Sequence, residues 1–225
     1  MTADADAASA KTSPEPVRDT TADHLLTPDN CAVVFIDYQE GQYATIGSAT
    51  REEIDLGAIT LAKLAGAYEV PTILSTVGVG MGVNQGTVAE IAGELPDVPE
   101  IDRTGVNSWE DADFREAVTA TGRKKIVMAG LWTEVCLAFP TLDMLREGFE
   151  VYPVVDAVGG VSPVTHATAV ERMTQAGAQP ITSLAFGCEL MRNWARPESD
   201  RFRVVINDYF DRKRAIGDKT GTLFR

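Results

Sequence analysis

From residue 31 onward the chain alternates short, continuous apolar runs with amphipathic segments, and this alternation limits what it can fold into. The strand-like runs are CAVVFID (31–37), PTILST (71–76), the weaker PEIDR (99–103), KIVMAG (125–130), FEVYPVVD (149–156) and AQPITS (178–183). Helix-like stretches lie between them, at roughly 51–69, 87–94, 110–121, 134–147 and 163–176. Strands that are apolar on both faces are covered on both faces, and strands separated by helices pair in parallel. Short connections and right-handed crossovers then select an α/β fold: a three-layer α/β/α domain around an open, doubly wound parallel sheet. In such sheets ligands bind beyond the carboxyl ends of the strands.

The domain is expected to span 24–197. Residues 1–23, rich in Ala, Thr, Asp and Pro and without aromatics, are expected to form a disordered tail. Residues 198–225 carry seven basic and five acidic side chains together with Phe202, Val204, Val205, Ile206, Tyr209 and Phe210. An arm of that apolar content is expected to dock on a neighbouring subunit.

A net charge of −13 without any Lys/Arg-rich run argues against a nucleic-acid surface. No apolar stretch approaches the ~18–20 residues of a membrane span, and nothing before residue 30 reads as a signal peptide. Three scattered cysteines, 31, 136 and 188, make neither a disulfide framework nor a metal site. The sequence reads as cytoplasmic and reduced.

The strand-end rule sorts the polar residues. Asp37 ends the first strand, Arg103 the third and Asp156 the fifth, and Cys136 follows the fourth at the opening of a helix. Lys124 and Lys125 precede the fourth strand, at the opposite edge. Cys136, in GLWTEVCLAFPTLDMLREGFEVY (130–152), has two readings. Free cysteine is among the most buried residue types, so it could simply fill the core. A helix N-terminus would instead favour the thiolate, with a pKa below the ordinary ~8.5; Thr133 could cap that helix. Cys31 and Cys188 read as core residues. Asp37 is either a turn cap or a partly desolvated general base. Arg103 is either a surface cation or the partner of Asp37. Asp156 reads as fixing the loop after it.

Other chemistries lack their signatures. There is no GxGxxG, and the glycines of VGVGMGVNQG (77–86) read as a flexible loop beside the rim rather than a phosphate cradle. The two histidines, His24 and His166, lie outside any ligand spacing. A triad through His166 stays open.

Four stretches, AVVFIDYQEGQ, IDRTGVNSWEDADFREAV, GRKKIVMAGLWTEVCLAFPTLDMLREGFEVYPVVDAVGG and ERMTQAGAQPITSLAFGCELMRNW, resemble the isochorismatase-like cysteine hydrolases, specifically the YcaC-like subgroup. The resemblance implies a six-stranded parallel sheet and an Asp–Lys–Cys triad acting on amides through an acyl-enzyme. Asp37 matches its aspartate, Cys136 its cysteine, and Arg103 stands in its lysine position. It further implies a cis peptide at Leu131–Trp132, an oxyanion hole from the Trp132 and Cys136 N–H groups, and an octamer. Arginine stays protonated, so Arg103 would stabilise charge without shuttling a proton. The aspartate–histidine metal site of the family's nicotinamidases has no counterpart around LSTVGVGMG, so no metal and no cofactor is expected. Asn107, Trp109 and Phe139 are candidates to line the pocket of a small-molecule substrate. The alternative is a catalytically weak, self-assembling or thiol-sensing oligomer on the same fold.

Overall fold

The computed structural model describes residues 19–220. Five strands, β1 (Cys31–Ile36), β2 (Thr72–Val77), β3 (Glu100–Arg103), β4 (Lys125–Gly130) and β5 (Glu150–Pro153), form one sheet in the order β3-β2-β1-β4-β5. All pair in parallel. The central pair is in register from Cys31 opposite Lys125 to Ile36 opposite Gly130, and every residue of both strands is buried. That burial explains why both read as unbroken apolar runs. The chain leaves β1 towards β2 and β3, then crosses back to β4 and β5. The strand order therefore reverses between β1 and β4, where a doubly wound sheet opens its ligand crevice.

Helices cover the faces: α1 (Arg51–Ala67), α2 (Ala112–Ala120), α3 (Ala138–Arg146), α4 (Pro163–Gln175), α5 (Ser183–Met191) and α6 (Ser199–Thr220). α1 and α4 start with capping boxes, Thr50 with Glu53 and Ser162 with Thr165, which satisfy amide groups a helix start leaves without partners. No helix among the described residues is long and apolar enough to cross a membrane.

Two expectations need correction. The sixth run, 178–183, contributes a single parallel bridge, Val154 opposite Ile181, instead of a full strand. Gln179 N–H donates to the Val151 carbonyl and Ile181 N–H to that of Pro153, both at 2.9 Å. The reciprocal bond to the Gln179 carbonyl would have to come from Pro153, which has no N–H, so the ladder breaks there.

The amino-terminal boundary at residue 23 also moves. Residues 1–18 lie outside the described residues, but Asp23 is buried, and its carbonyl accepts from Lys125 Nζ at 2.6 Å. The residues just before the first strand thus belong to the domain.

The carboxyl-terminal arm packs along one side on its own chain, which leaves the expected contact with a neighbour through its other side open. Phe202, Val205 and Tyr209 of α6 are buried, and Lys63 of α1 pairs with Asp208 at 2.7 Å. Val204 and Phe210 stay exposed. Gly187 in α5 makes room for this packing: a Cβ there would stand 2.6 Å from the Phe202 ring and 2.9 Å from Leu64. Phe202→Ala should therefore destabilise the chain by about 3–5 kcal/mol, the usual range for a buried phenylalanine. Chemical denaturation checks this; a change under about 1 kcal/mol would mean that α6 is not part of the core.

Candidate functional site

At the carboxyl end of β1 the backbone turns at Asp37, a non-glycine residue in the left-handed region with φ 60°. Its N–H is held by the Ser75 carbonyl at 2.9 Å. Strain of this kind persists where the surroundings over-determine it, and here they do. The Asp37 carboxylate is fully buried and meets the Arg103 guanidinium fork to fork: Nη1 donates to Oδ1 and Nη2 to Oδ2, each at 2.7 Å.

β1 and β3 are not neighbours; β2 lies between them. Two strand spacings, roughly 10 Å, separate the backbones, so only a long side chain spans the gap. As it crosses, Arg103 Nη1 also donates to Ser75 Oγ at 3.1 Å and to the Thr76 carbonyl at 3.0 Å. Burial works against the charge on Arg103, but the Asp37 carboxylate more than offsets it and holds its pKa above the ordinary arginine value.

The loops around the pair are tied down. Buried Gln39 accepts from Val77 N–H at 3.0 Å and donates to the Gln85 carbonyl at 2.5 Å. Asp102 accepts from the N–H groups of Val79 and Gly80 at 3.0 and 2.8 Å. The glycine segment 77–86, expected as a free loop, is thus fastened at both ends.

Cys136 reaches the site from the far side of the switch. β4 ends at Gly130, and Leu131 N–H donates to the Ile36 carbonyl at 3.0 Å, joining this connection to the end of β1. The Leu131–Trp132 peptide is cis. Residues Thr133–Leu137 form a π-helical turn that runs into α3, and Cys136 sits within it, 6% exposed. Wide turns of this type concentrate at functional sites. Thr133 does not cap the helix; its hydroxyl lies 3.0 Å from His166 Nδ1. Gly159 accepts from Thr133 N–H at 3.0 Å, and Glu134 Oε1 accepts from Val161 N–H at 3.0 Å.

The thiol is not the depressed one expected of a helix N-terminus. Burial pushes the Cys136 pKa well above the ordinary thiol value, and the charge and hydrogen bond of Asp37 push it the same way. The Trp132 N–H and the Arg103 charge act in the opposite sense and do not prevail. Burial and the neighbouring carboxylate thus both favour the neutral thiol. Cys31 is buried as expected, but Cys188 is exposed, because it falls on the outer side of α5.

The remaining candidates separate. Trp109 leaves the rim: its ring stacks edge-on against Phe114 and Phe149 at 6.5 and 5.4 Å, and its Nε1 donates to Glu147. Phe149 enters β5 from the amino-terminal edge, under Lys124, so Trp109 belongs to the opposite end of the sheet. Asn107 ties the loop after β3 to α3, accepting from Trp109 N–H at 3.1 Å and donating to Asp143 at 2.8 Å. Phe139 is partly buried in the first turn of α3. Asp156 grips the start of α5 through Ser183 N–H and Oγ at 2.8 and 2.7 Å, rather than its own loop. Lys125 is occupied at the opposite edge by carbonyls of the entering chain. Among the described residues, no three acidic, histidine or cysteine side chains converge as a metal site would require.

The isochorismatase domain family matches residues 31–184. The probable hydrolase YcaC of Escherichia coli is 39% identical over 199 residues, covering 88% of this chain and 95% of that protein. A solved structure of YcaC from Pseudomonas aeruginosa, with hexane-2,5-diol and covalent acrylamide, superposes with a TM-score of 0.80 at 37% identity, covering 88% of this chain and 98% of that one. The E. coli YcaC structure, described as an octameric hydrolase of unknown specificity, gives 0.79 at 35% identity over 90% and 98%.

The geometry makes two predictions. Arg103→Ala leaves the Asp37 carboxylate buried without its partner and should cost about 3–5 kcal/mol of stability by urea denaturation. Arg103→Lys, which keeps the charge but not the fork, should lose less; equal losses would mean that the charge carries no weight without the fork. Second, peptide-resolved alkylation of Cys136 should keep rising with pH past the ordinary thiol value of about 8.5, because ionisation is delayed. A plateau near neutral pH would contradict the neutral thiol.

Proposed function

This chain belongs to the isochorismatase family, and from that premise we propose that it is a metal-independent cysteine hydrolase of a small amide or related acyl substrate. One observation carries the reading: a buried carboxylate, fixed by a permanent cation, stands against the only thiol at the switch point of the sheet among the described residues. The relative from P. aeruginosa bears covalent acrylamide, an electrophile of the kind that nucleophiles add to, which supports a reactive centre of this type.

With a neutral thiol, proton transfer and attack must be coupled. Asp37 takes the S–H proton as Cys136 Sγ bonds to the carbonyl carbon. The oxygen that becomes negative is received by the Trp132 and Cys136 N–H groups. Asp37 then returns the proton to the amide nitrogen, the C–N bond breaks and the amine leaves. Water attacks the thioester while Asp37 takes its proton, and the acid departs as the thiol is restored. Arg103 stays protonated throughout. It holds Asp37 in place and balances charge, and all proton traffic runs through the aspartate.

Assembly into a homo-oligomer fits the same reading. E. coli YcaC is octameric, and Met81, Val83, Val106, Val161 and Val164 expose apolar surface here.

A panel of short aliphatic and aromatic amides, followed by ammonia release and intact mass, tests the proposal. Hydrolysis with an acyl adduct on Cys136, abolished in Cys136→Ser, is the expected result. Turnover that survives Cys136→Ser would remove the nucleophile assignment.

A further inference from the structure

The π-turn that presents Cys136 is gripped from one side by the segment Gly159–Val161 and the start of α4. The contacts are Thr133 N–H to the Gly159 carbonyl, Val161 N–H to Glu134 and the Thr133 hydroxyl against His166 Nδ1. The fit is tight: a Cβ on Gly160 would stand 2.5 Å from Glu134 Oε2 and 3.1 Å from His166. Thr133 is fully buried, and His166 is the one hydrogen-bonding partner its hydroxyl has among the described residues.

We propose that His166 is a positioning residue for Cys136, accepting the Thr133 hydroxyl through neutral Nδ1 and so clamping the turn that aims the thiol. This rests on reading Cys136 as the nucleophile and adds a pH-dependent element to it. A protonated imidazole donates from both nitrogens. The bond would reverse, with Nδ1–H donating to Thr133 Oγ, and the buried Thr133 O–H would be left without an acceptor, which loosens the clamp. Burial lowers the His166 pKa below its ordinary value, partly opposed by the Glu134 charge, so the clamp is intact at neutral pH and released in acid. The charge that acts on His166 is Glu134 from the π-turn; Arg172 of α4 shares the adjoining groove with Glu134, Thr165 and Thr168. The 47–49 segment, which packs on Gly160, carries no charge.

The test measures Cys136 alkylation by iodoacetamide, resolved by peptide mass, on the full chain and its variants between about pH 5 and pH 8. His166→Leu should react about fivefold more slowly than wild type at about pH 8, the factor that one ordinary hydrogen bond corresponds to. His166→Asn, which keeps an acceptor near the Nδ1 position, should restore most of that loss. Its rate relative to wild type should climb as pH falls below the ordinary histidine value of about 6.5, because only the wild-type clamp opens. Should the histidine variants fold poorly by thermal melting, Thr133→Val removes the same hydrogen bond and should match His166→Leu. A ratio for the asparagine variant that stays flat with pH, or a leucine variant as fast as wild type at about pH 8, overturns the proposal. Neither result touches the nucleophile itself, which is tested separately by loss of hydrolysis in Cys136→Ser.

Discussion

The Asp37–Arg103 ion pair dictates much of what surrounds it. Both side chains are wholly out of water, and two buried charges are tolerated only when geometry and extra hydrogen bonds compensate their desolvation. The compensation here is drawn from three strands. β1 supplies the carboxylate on a left-handed residue, β3 the guanidinium, and β2, in the middle, the Ser75 hydroxyl and Thr76 carbonyl. A pair of hydrophobic residues of similar volume would serve stability as well or better. Its location, at the point where the strand order reverses and against a thiol, indicates a functional reason for keeping it.

That pair also governs the state of the thiol. A helix start and a nearby arginine both favour thiolate, yet burial and the Asp37 charge outweigh them and push the Cys136 pKa up. The arginine is committed to the aspartate at 2.7 Å and presents a neutralised pair to the sulfur rather than a free cation. On the proposed reading, a site built this way would keep its nucleophile protonated until a carbonyl arrives to accept electrons as the proton departs.

How much of this was legible in the sequence follows from what local pattern can encode. β1 and β4 were readable because burial on both faces leaves an unbroken apolar run, and Asp37, Arg103 and Cys136 were readable from their places after strands. What failed depended on distant partners. Pro153 stops a ladder on a segment about thirty residues later. Gly187 made LAFGCELM look like a small-residue stretch, whereas the glycine is there to admit Phe202 from α6. Trp109 was a candidate to line the pocket. The 3₁₀ turn Ser108–Glu110 carries the indole back among Phe114 and Phe149. His166 lacked a metal-ligand spacing, and a triad through it stayed open; its partner is a threonine hydroxyl, a pairing that leaves no spacing to find.

The choice of arginine at position 103 can be argued from donor count. Nη1 serves three acceptors, Asp37 Oδ1, Ser75 Oγ and the Thr76 carbonyl, while Nη2 takes the second carboxylate oxygen. A lysine ammonium has three donors at one point and could meet the first set only by giving up the second oxygen of Asp37. The arginine secures both oxygens and leaves its own buried Nε without a partner. With both carboxylate oxygens engaged by a group that never deprotonates, Asp37 is fixed in orientation. On the proposed reading, the lone pairs that the arginine leaves free are the ones turned to the Cys136 thiol.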